Sequence, residues 1–243
     1  MQEISLRAEE IFKVGNYAIT NGLFLSFIAL LILSVFAWKF KKNIKSVPDI
    51  IQNIAEFLIE SLLSLMDSVF LDRKKSEKYL PLIATIFIFI LVSNWLGLLP
   101  GVGSFILHKE GGSIPLLRSP ASDLNFTLAL AIIAILSTNF FGVAALGFLM
   151  HIKKFFNFSN PIKFFVGILE LLSEFSRMIS FSFRLFGNVF AGEVLLTIVF
   201  FLAPYIAPIP FLFLEMFFGA IQALIFAMLT LVFLSIHTAM EEH

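Results

Sequence analysis

The sequence predicts an all-α polytopic membrane protein. It has about five transmembrane helices and one amphipathic interfacial helix, with the last two helices long and tilted as a hairpin. Three observations lead there. Of 243 residues, 59% are apolar and 14% charged, with a mean hydropathy of +0.96, whereas soluble domains carry roughly 25% charge. The apolar residues gather into stretches of about 20 or more, the length that crosses a bilayer core. Basic residues cluster in the connections on one side, while the loops on the other hold only Lys109 and Arg118, which is the loop asymmetry of a multi-pass protein.

The same counts narrow the function. There is no cysteine, so disulfides and thiolate metal sites are excluded. A formal net charge of zero argues against nucleic acid as a partner. The first twenty residues carry Glu3, Glu9 and Glu10 and lack the basic start of a cleavable leader, so the first span is expected to act as its own insertion signal. No phosphate loop, no histidine pair at metal-ligand spacing and no Gly-x-Ser-x-Gly is visible. The chain is expected to be non-catalytic by itself and to need no cofactor.

Residues 1–19 form an acidic external segment of a single membrane domain, followed by span one at 20–38 and the cluster Lys39, Lys41, Lys42 and Lys45. Residues 48–70 differ. Asp49, Asn53, Glu56, Glu60, Ser64 and Asp67 recur at helical spacing, with Ile51, Ile54, Phe57, Leu58, Leu62 and Leu65 on the other face. This is an amphipathic helix lying at an interface or against partner helices. Arg73, Lys74, Lys75 and Lys78 precede span two at 80–99, which ends at Pro100-Gly101. A loop with two prolines leads to span three at 124–150, and His151, Lys153 and Lys154 follow. Span four occupies 163–202, about twice the length a perpendicular helix needs, so it must tilt, bend or run partly along the surface. Pro204, Pro208 and Pro210 mark a turn, and span five covers 211–239. The basic connections after spans one and three place the N-terminus outside and the C-terminus in the cytoplasm.

Arg184 lies mid-way along span four. A guanidinium at the bilayer centre costs at least about 2.5–3.5 kcal/mol on insertion scales, and it cannot escape by losing its proton. With about 30 Å of helix on either side it cannot reach a headgroup. It therefore needs a partner, water or a function. If spans four and five form a symmetric hairpin about Pro204, Gln222 lies at the depth of Arg184. Glu193 and Glu215 then share a second level about 10–14 Å nearer the outside. Two carboxylates at one depth suit an ion path, or else form a structural hydrogen-bonded pair. Around the helix, Ser180, Asn188 and Glu170 fall within about 40° of Arg184, and Glu193 about 180° away. Two offset paths with a fixed cation between them fit this pattern better than one straight pore.

Other polar residues have blander readings. Glu174 and Arg177, one turn apart, can pair with each other. Glu170 is either a solvated interface residue or an exit-path lining. His237, His243, Glu241 and Glu242 at the inner end read as solvated. Asn94 and Asn139 read as interhelical packing. Asp123 with Asn125 is either an N-cap or a funnel at the outer mouth. Gly187, Gly192 and Gly219 would admit a neighbouring helix.

Arg-Leu-Phe-Gly-Asn-Val-Phe-Ala-Gly-Glu, from Arg184 to Glu193, resembles the signature of subunit a of F-type ATP synthases. The run Gln-Ala-Leu-Ile-Phe-Ala-Met-Leu-Thr-Leu-Val-Phe-Leu-Ser from Gln222 is similar to that family's last helix. Ser93 to Gly101 and Ala121 to Ala129 resemble its second and third spans. The resemblance implies a stator arginine at Arg184, facing the carboxylates of a rotating c-ring. It implies an outer half-channel along Glu193, Glu215 and Gln222 with Asp123 and Asn125 near its mouth, and Ser180, Asn188 and Glu170 toward the cytoplasmic half-channel. Residues 48–70 would meet the b subunits of the peripheral stalk. H⁺ or Na⁺ would cross the plasma (inner) membrane, coupled to ATP synthesis. Some relatives carry histidine where this chain has Glu215. A self-contained transporter binding an anion at Arg184, and a scaffold with structural buried charges, are the competing readings. The first predicts transport by the purified chain alone, the second tolerance of Arg184→Gln.

Overall fold

A computed structural model of the chain describes residues 9–15, 17–99, 102, 106–109, 112–155 and 160–239. Five of its helices are long and apolar enough to cross a membrane, which agrees with the expected polytopic, almost wholly helical architecture. The sequence readings at Glu3, Pro100-Gly101, Glu241, Glu242 and His243 lie outside the described residues.

The chain enters through an antiparallel hairpin of β1 (Glu10–Val14) and β2 (Tyr17–Thr20). Gly15 sits at φ +62° in its turn, a conformation that costs glycine little. Helix α1 (Asn21–Lys42) begins where the Thr20 hydroxyl accepts from the Leu23 amide at 3.3 Å. It ends with Lys39, Lys41 and Lys42 in its last turn, favourable at the negative end of the helix dipole. Phe27, Leu31 and Trp38 of α1 are exposed, as a lipid-facing surface requires.

Helix α2 (Ile50–Phe70) buries Leu62, Leu63 and Met66 in its second half and leaves Ile51, Ile54 and Phe57 exposed in its first. It turns through Leu71, in the left-handed region at φ 54°, into α3 (Arg73–Gly97). The Asp72 side chain accepts from the Lys74 amide at 2.9 Å and caps α3. Arg73 ties the corner together, with 2.8 Å to Asp67, 3.2 Å to Glu77 and 3.3 Å to Glu60.

A second hairpin, β3 (Ile106–Lys109) with β4 (Gly112–Pro115), and a short 3₁₀ turn at Pro120–Ser122 lead to α4 (Leu124–Leu146). The two hairpins had no strand signature in the sequence. At Gly147, with φ +85°, the chain breaks away into α5 (Phe148–Phe155). The sequence had run span three through this break to Met150; the glycine conformation is what ends it at Leu146. The longest helix, α6 (Pro161–Leu202), is followed by α7 (Pro208–Thr238).

The core lies among α3, α4, α6 and α7. Ile83, Ile90, Leu185, Phe226, Leu231 and Leu234 are almost fully buried there. Directed polar contacts add register. Asn94 Nδ2 donates to the Gly219 carbonyl and Trp95 Nε1 to the Met216 carbonyl, both at 3.1 Å, joining α3 to α7. The hydroxyls of Thr127 and Ser182 meet at 3.0 Å between α4 and α6. In a bilayer, where lipid tails compete with apolar side chains, such close packing and interhelical hydrogen bonds carry much of the association.

Candidate functional site

Arg184 stands on an exposed face of α6, the longest of the membrane-length helices. Among the described residues it has no ion pair or hydrogen bond with its own chain. Leu185, its neighbour, is fully buried against the core, so the helix is anchored on one side while the guanidinium faces outward. Ser176, Ser180 and Asn188 lie one turn apart on the same exposed face. A methyl group added at Gly187 would meet nothing within 4 Å. Small side chains therefore flank the arginine, and a neighbouring helix could come close to it.

On the opposite side of α6, toward the 204–207 turn, a cavity of about 500 Å³ opens between α3, α6, α7 and the loop before α4. Glu193, Glu215, Arg118 and Asn94 line it. Glu215 is 8% exposed. Its carboxylate packs against the α-carbon of Gly192, where any side chain would collide with it. The expected pairing of Glu193 and Glu215 at one level is thus close to what the helices present, with glycine supplying the space.

Arg118 is the residue that sequence reasoning missed. It is 7% exposed, and its Nε lies 3.2 Å from Glu193 Oε1 and 3.0 Å from the Ser122 hydroxyl. A lone arginine in a loop beside the spans, able to meet an intramembrane acid, is a signal in itself. Glu9, beside the first hairpin, belongs to the same neighbourhood. Burial holds its carboxyl above the ordinary value, Arg118 draws it down, and Glu193 pushes it up.

Gln222 belongs to the interface between α6 and α7. It is buried and accepts a 2.8 Å hydrogen bond from Asn188 Nδ2, one turn nearer the interhelical connection than Arg184. Asn188 therefore joins the exposed arginine face to the interior of the α6–α7 hairpin.

Asp123 is buried and caps α4, its side chain accepting from the Asn125 amide at 2.9 Å. Asn125 is exposed, and neither residue lines the cavity of Glu193 and Glu215. Of its two readings, Asp123 fulfils the capping one.

The inner end departs from expectation. Arg177 reaches Glu170 at 3.4 Å and stacks on the Phe233 ring at 4.6 Å. Seven residues separate Arg177 from Glu170, two turns on the same face. Glu174 faces Asn139 at 3.3 Å and His237 at 3.0 Å. His237, expected in solvent, is 2% exposed, because α7 continues along α4 and α6 to its last turn.

The ATP synthase A chain family matches residues 23–235. ATP synthase subunit a of Campylobacter jejuni subsp. jejuni (strain 81-176) is 36% identical over 218 residues, covering 88% of each chain. ATP synthase subunit a of Campylobacter concisus (strain 13826) is 35% identical over 231 residues, covering 94% of this chain and 93% of that one. With an arginine mid-way along an exposed membrane helix, a carboxylate cavity beside it, and relatives aligned along nearly the whole chain, this protein belongs to the ATP synthase A chain family.

Proposed function

We propose that this chain is the stationary proton channel of an ATP synthase membrane sector, with Arg184 as the fixed charge that separates two half-channels. Protons enter from the outside along Glu193 and Glu215 and pass to a carboxylate on a rotating c-ring. A neutralised carboxyl crosses lipid far more cheaply than a charged one, so the ring can turn. When that carboxyl returns to Arg184, the permanent cation favours its ionised form. The proton then leaves toward the cytoplasm past Ser180 and Glu170. Each charge moved delivers about 2.3 kcal/mol per 100 mV, which the ring passes on to ATP synthesis.

Asn188, bonded to Gln222, sets the side-chain arrangement next to the arginine. Arg118 holds Glu193 at the outer entry. Asp123 keeps its structural cap, and Asn125 stands near the mouth. The exposed apolar stretch of α2, with Ile51, Ile54 and Phe57, suits the b subunits of a peripheral stalk. The basic connections support an N-terminus outside and a C-terminus in the cytoplasm.

The observation that carries this reading is the outward-facing Arg184, which among the described residues meets no acid of its own chain. A self-contained transporter would close its site within the chain. Replacing Arg184 by alanine is expected to abolish ATP-driven proton pumping by inverted membrane vesicles, and lysine is expected not to rescue it, being a smaller point charge. Normal pumping by the alanine variant would reject the role.

A further inference from the structure

The inner ends of α4, α5, α6 and α7 hold a second polar cluster that proton entry does not use. Glu170 and Glu174 stand at i and i+4 on one face of α6, and His237 reaches them from α7. One ligand-type atom from each lies within 4.8 Å of the others. His237 is 2% exposed, yet neither ring nitrogen makes a hydrogen bond. Its Nε2 lies 3.0 Å from Glu174 Oε1 without the alignment of a hydrogen bond. Among the described residues, this buried imidazole has only a misaligned carboxylate beside Nε2 and no hydrogen bond at Nδ1, a costly arrangement that a ligand at the centre of the cluster would relieve.

We propose that Glu170, Glu174 and His237 form a binding site for a divalent cation of the Zn²⁺ class at the cytoplasmic end of the helix bundle. Zinc takes imidazole nitrogen and carboxylate oxygen at about 2.0–2.2 Å in a tetrahedron, so ligand atoms must stand roughly 3.4 Å apart. Small side-chain rotations bring the three atoms from their present spacing to that distance. The surroundings suit such an ion. Asn139 donates to Glu174 Oε2 at 3.3 Å and meets His151 Nε2 at 2.9 Å, as an outer partner that orients a ligand does. The His151 ring stands edge-on to His237 at 5.7 Å, near enough to serve the fourth position, which water would otherwise fill. Gly142 makes room for both rings, since a methyl group there would lie 2.8 Å from His151 and 3.1 Å from His237. Arg177 is the competing cation; its contact with Glu170 is 3.4 Å long and partly exposed, so a doubly charged ion can displace it. Two carboxylates and a neutral imidazole would balance the charge of the ion. Because the reading above places Glu170 on the proton exit, a bound ion would also close that exit; this consequence, unlike the binding itself, rests on that reading.

The test uses purified wild-type ATP synthase and complexes carrying His237→Gln or Glu174→Gln, stripped with chelator, loaded with ZnCl₂, desalted and analysed for metal. Wild type is expected to retain one more zinc per complex than either variant. Its zinc absorption-edge spectrum should contain imidazole and carboxylate ligands, with affinity falling about tenfold or more in each variant. Equal zinc content and affinity in all three complexes would overturn the site, leaving the cluster as a His237–Glu174 ion pair. Passive proton flow through the membrane sector is the second measurement. Zinc retained by wild type alone, with no slowing of proton flow, would uphold the metal site and refute the placement of Glu170 on the exit path.

Discussion

The carboxylate of Glu215 on α7 occupies the space that a side chain at Gly192 on α6 would need. One glycine therefore decides whether two acids can share the cavity. Gly192→Ala is expected to force Glu215 out of its position at a packing cost of about 1–3 kcal/mol and to cut proton-driven ATP synthesis while the complex still assembles. Adding Glu215→Asp, one methylene shorter, should recover part of the rate. Full activity in the alanine variant would show that this contact does not matter.

Arg118 holds Glu193 from a loop 75 residues away in sequence. Removing one member of such a pair leaves the other charge poorly compensated. Arg118→Gln should slow passive proton flow through the membrane sector about tenfold, the effect of roughly 1.4 kcal/mol on a barrier. Arg118→Lys should retain more flow than glutamine does. Wild-type flux in the glutamine variant would remove Arg118 from the path.

The five spans and the polar residues of α6 and α7 were legible because helical periodicity and apolar length are local properties. Partner choice was not. The Gln222–Asn188 bond depends on how far each side chain reaches across the α6–α7 hairpin, which residue numbering alone does not give. Arg118 meets Glu193 only through the fold of the loop before α4. His237 is buried because α7 packs along its whole length, which the run of charged residues after it concealed. Asp123 was readable as a cap, since aspartate directly before a helix carries that signal, and the structure fills that role at 2.9 Å.

The corner between α2 and α3 should respond to acid. Asp67 is held below its usual carboxylate value, by the Ser76 hydroxyl first and then by Arg73. A depressed carboxylate stabilises the folded corner at all pH above its unfolded value, near 3.8, and loses that contribution as pH falls toward the folded one. Amide-exchange protection across residues 62–76 in lipid nanodiscs should stay level from about pH 7 to 5 and drop below about 4. Asp67→Asn should lack that drop; an unchanged acid profile in the asparagine variant would contradict the assignment.

The most direct measurement is disulfide cross-linking from the arginine face of α6. The chain contains no cysteine, so Ser180→Cys and Gly187→Cys each introduce a single thiol. With a cysteine beside the mid-membrane carboxylate of the c subunit, both are expected to cross-link to that subunit in assembled membranes. Absence of any such product from both positions, with the complex intact, would mean that Arg184 faces lipid or water and that no ring passes it.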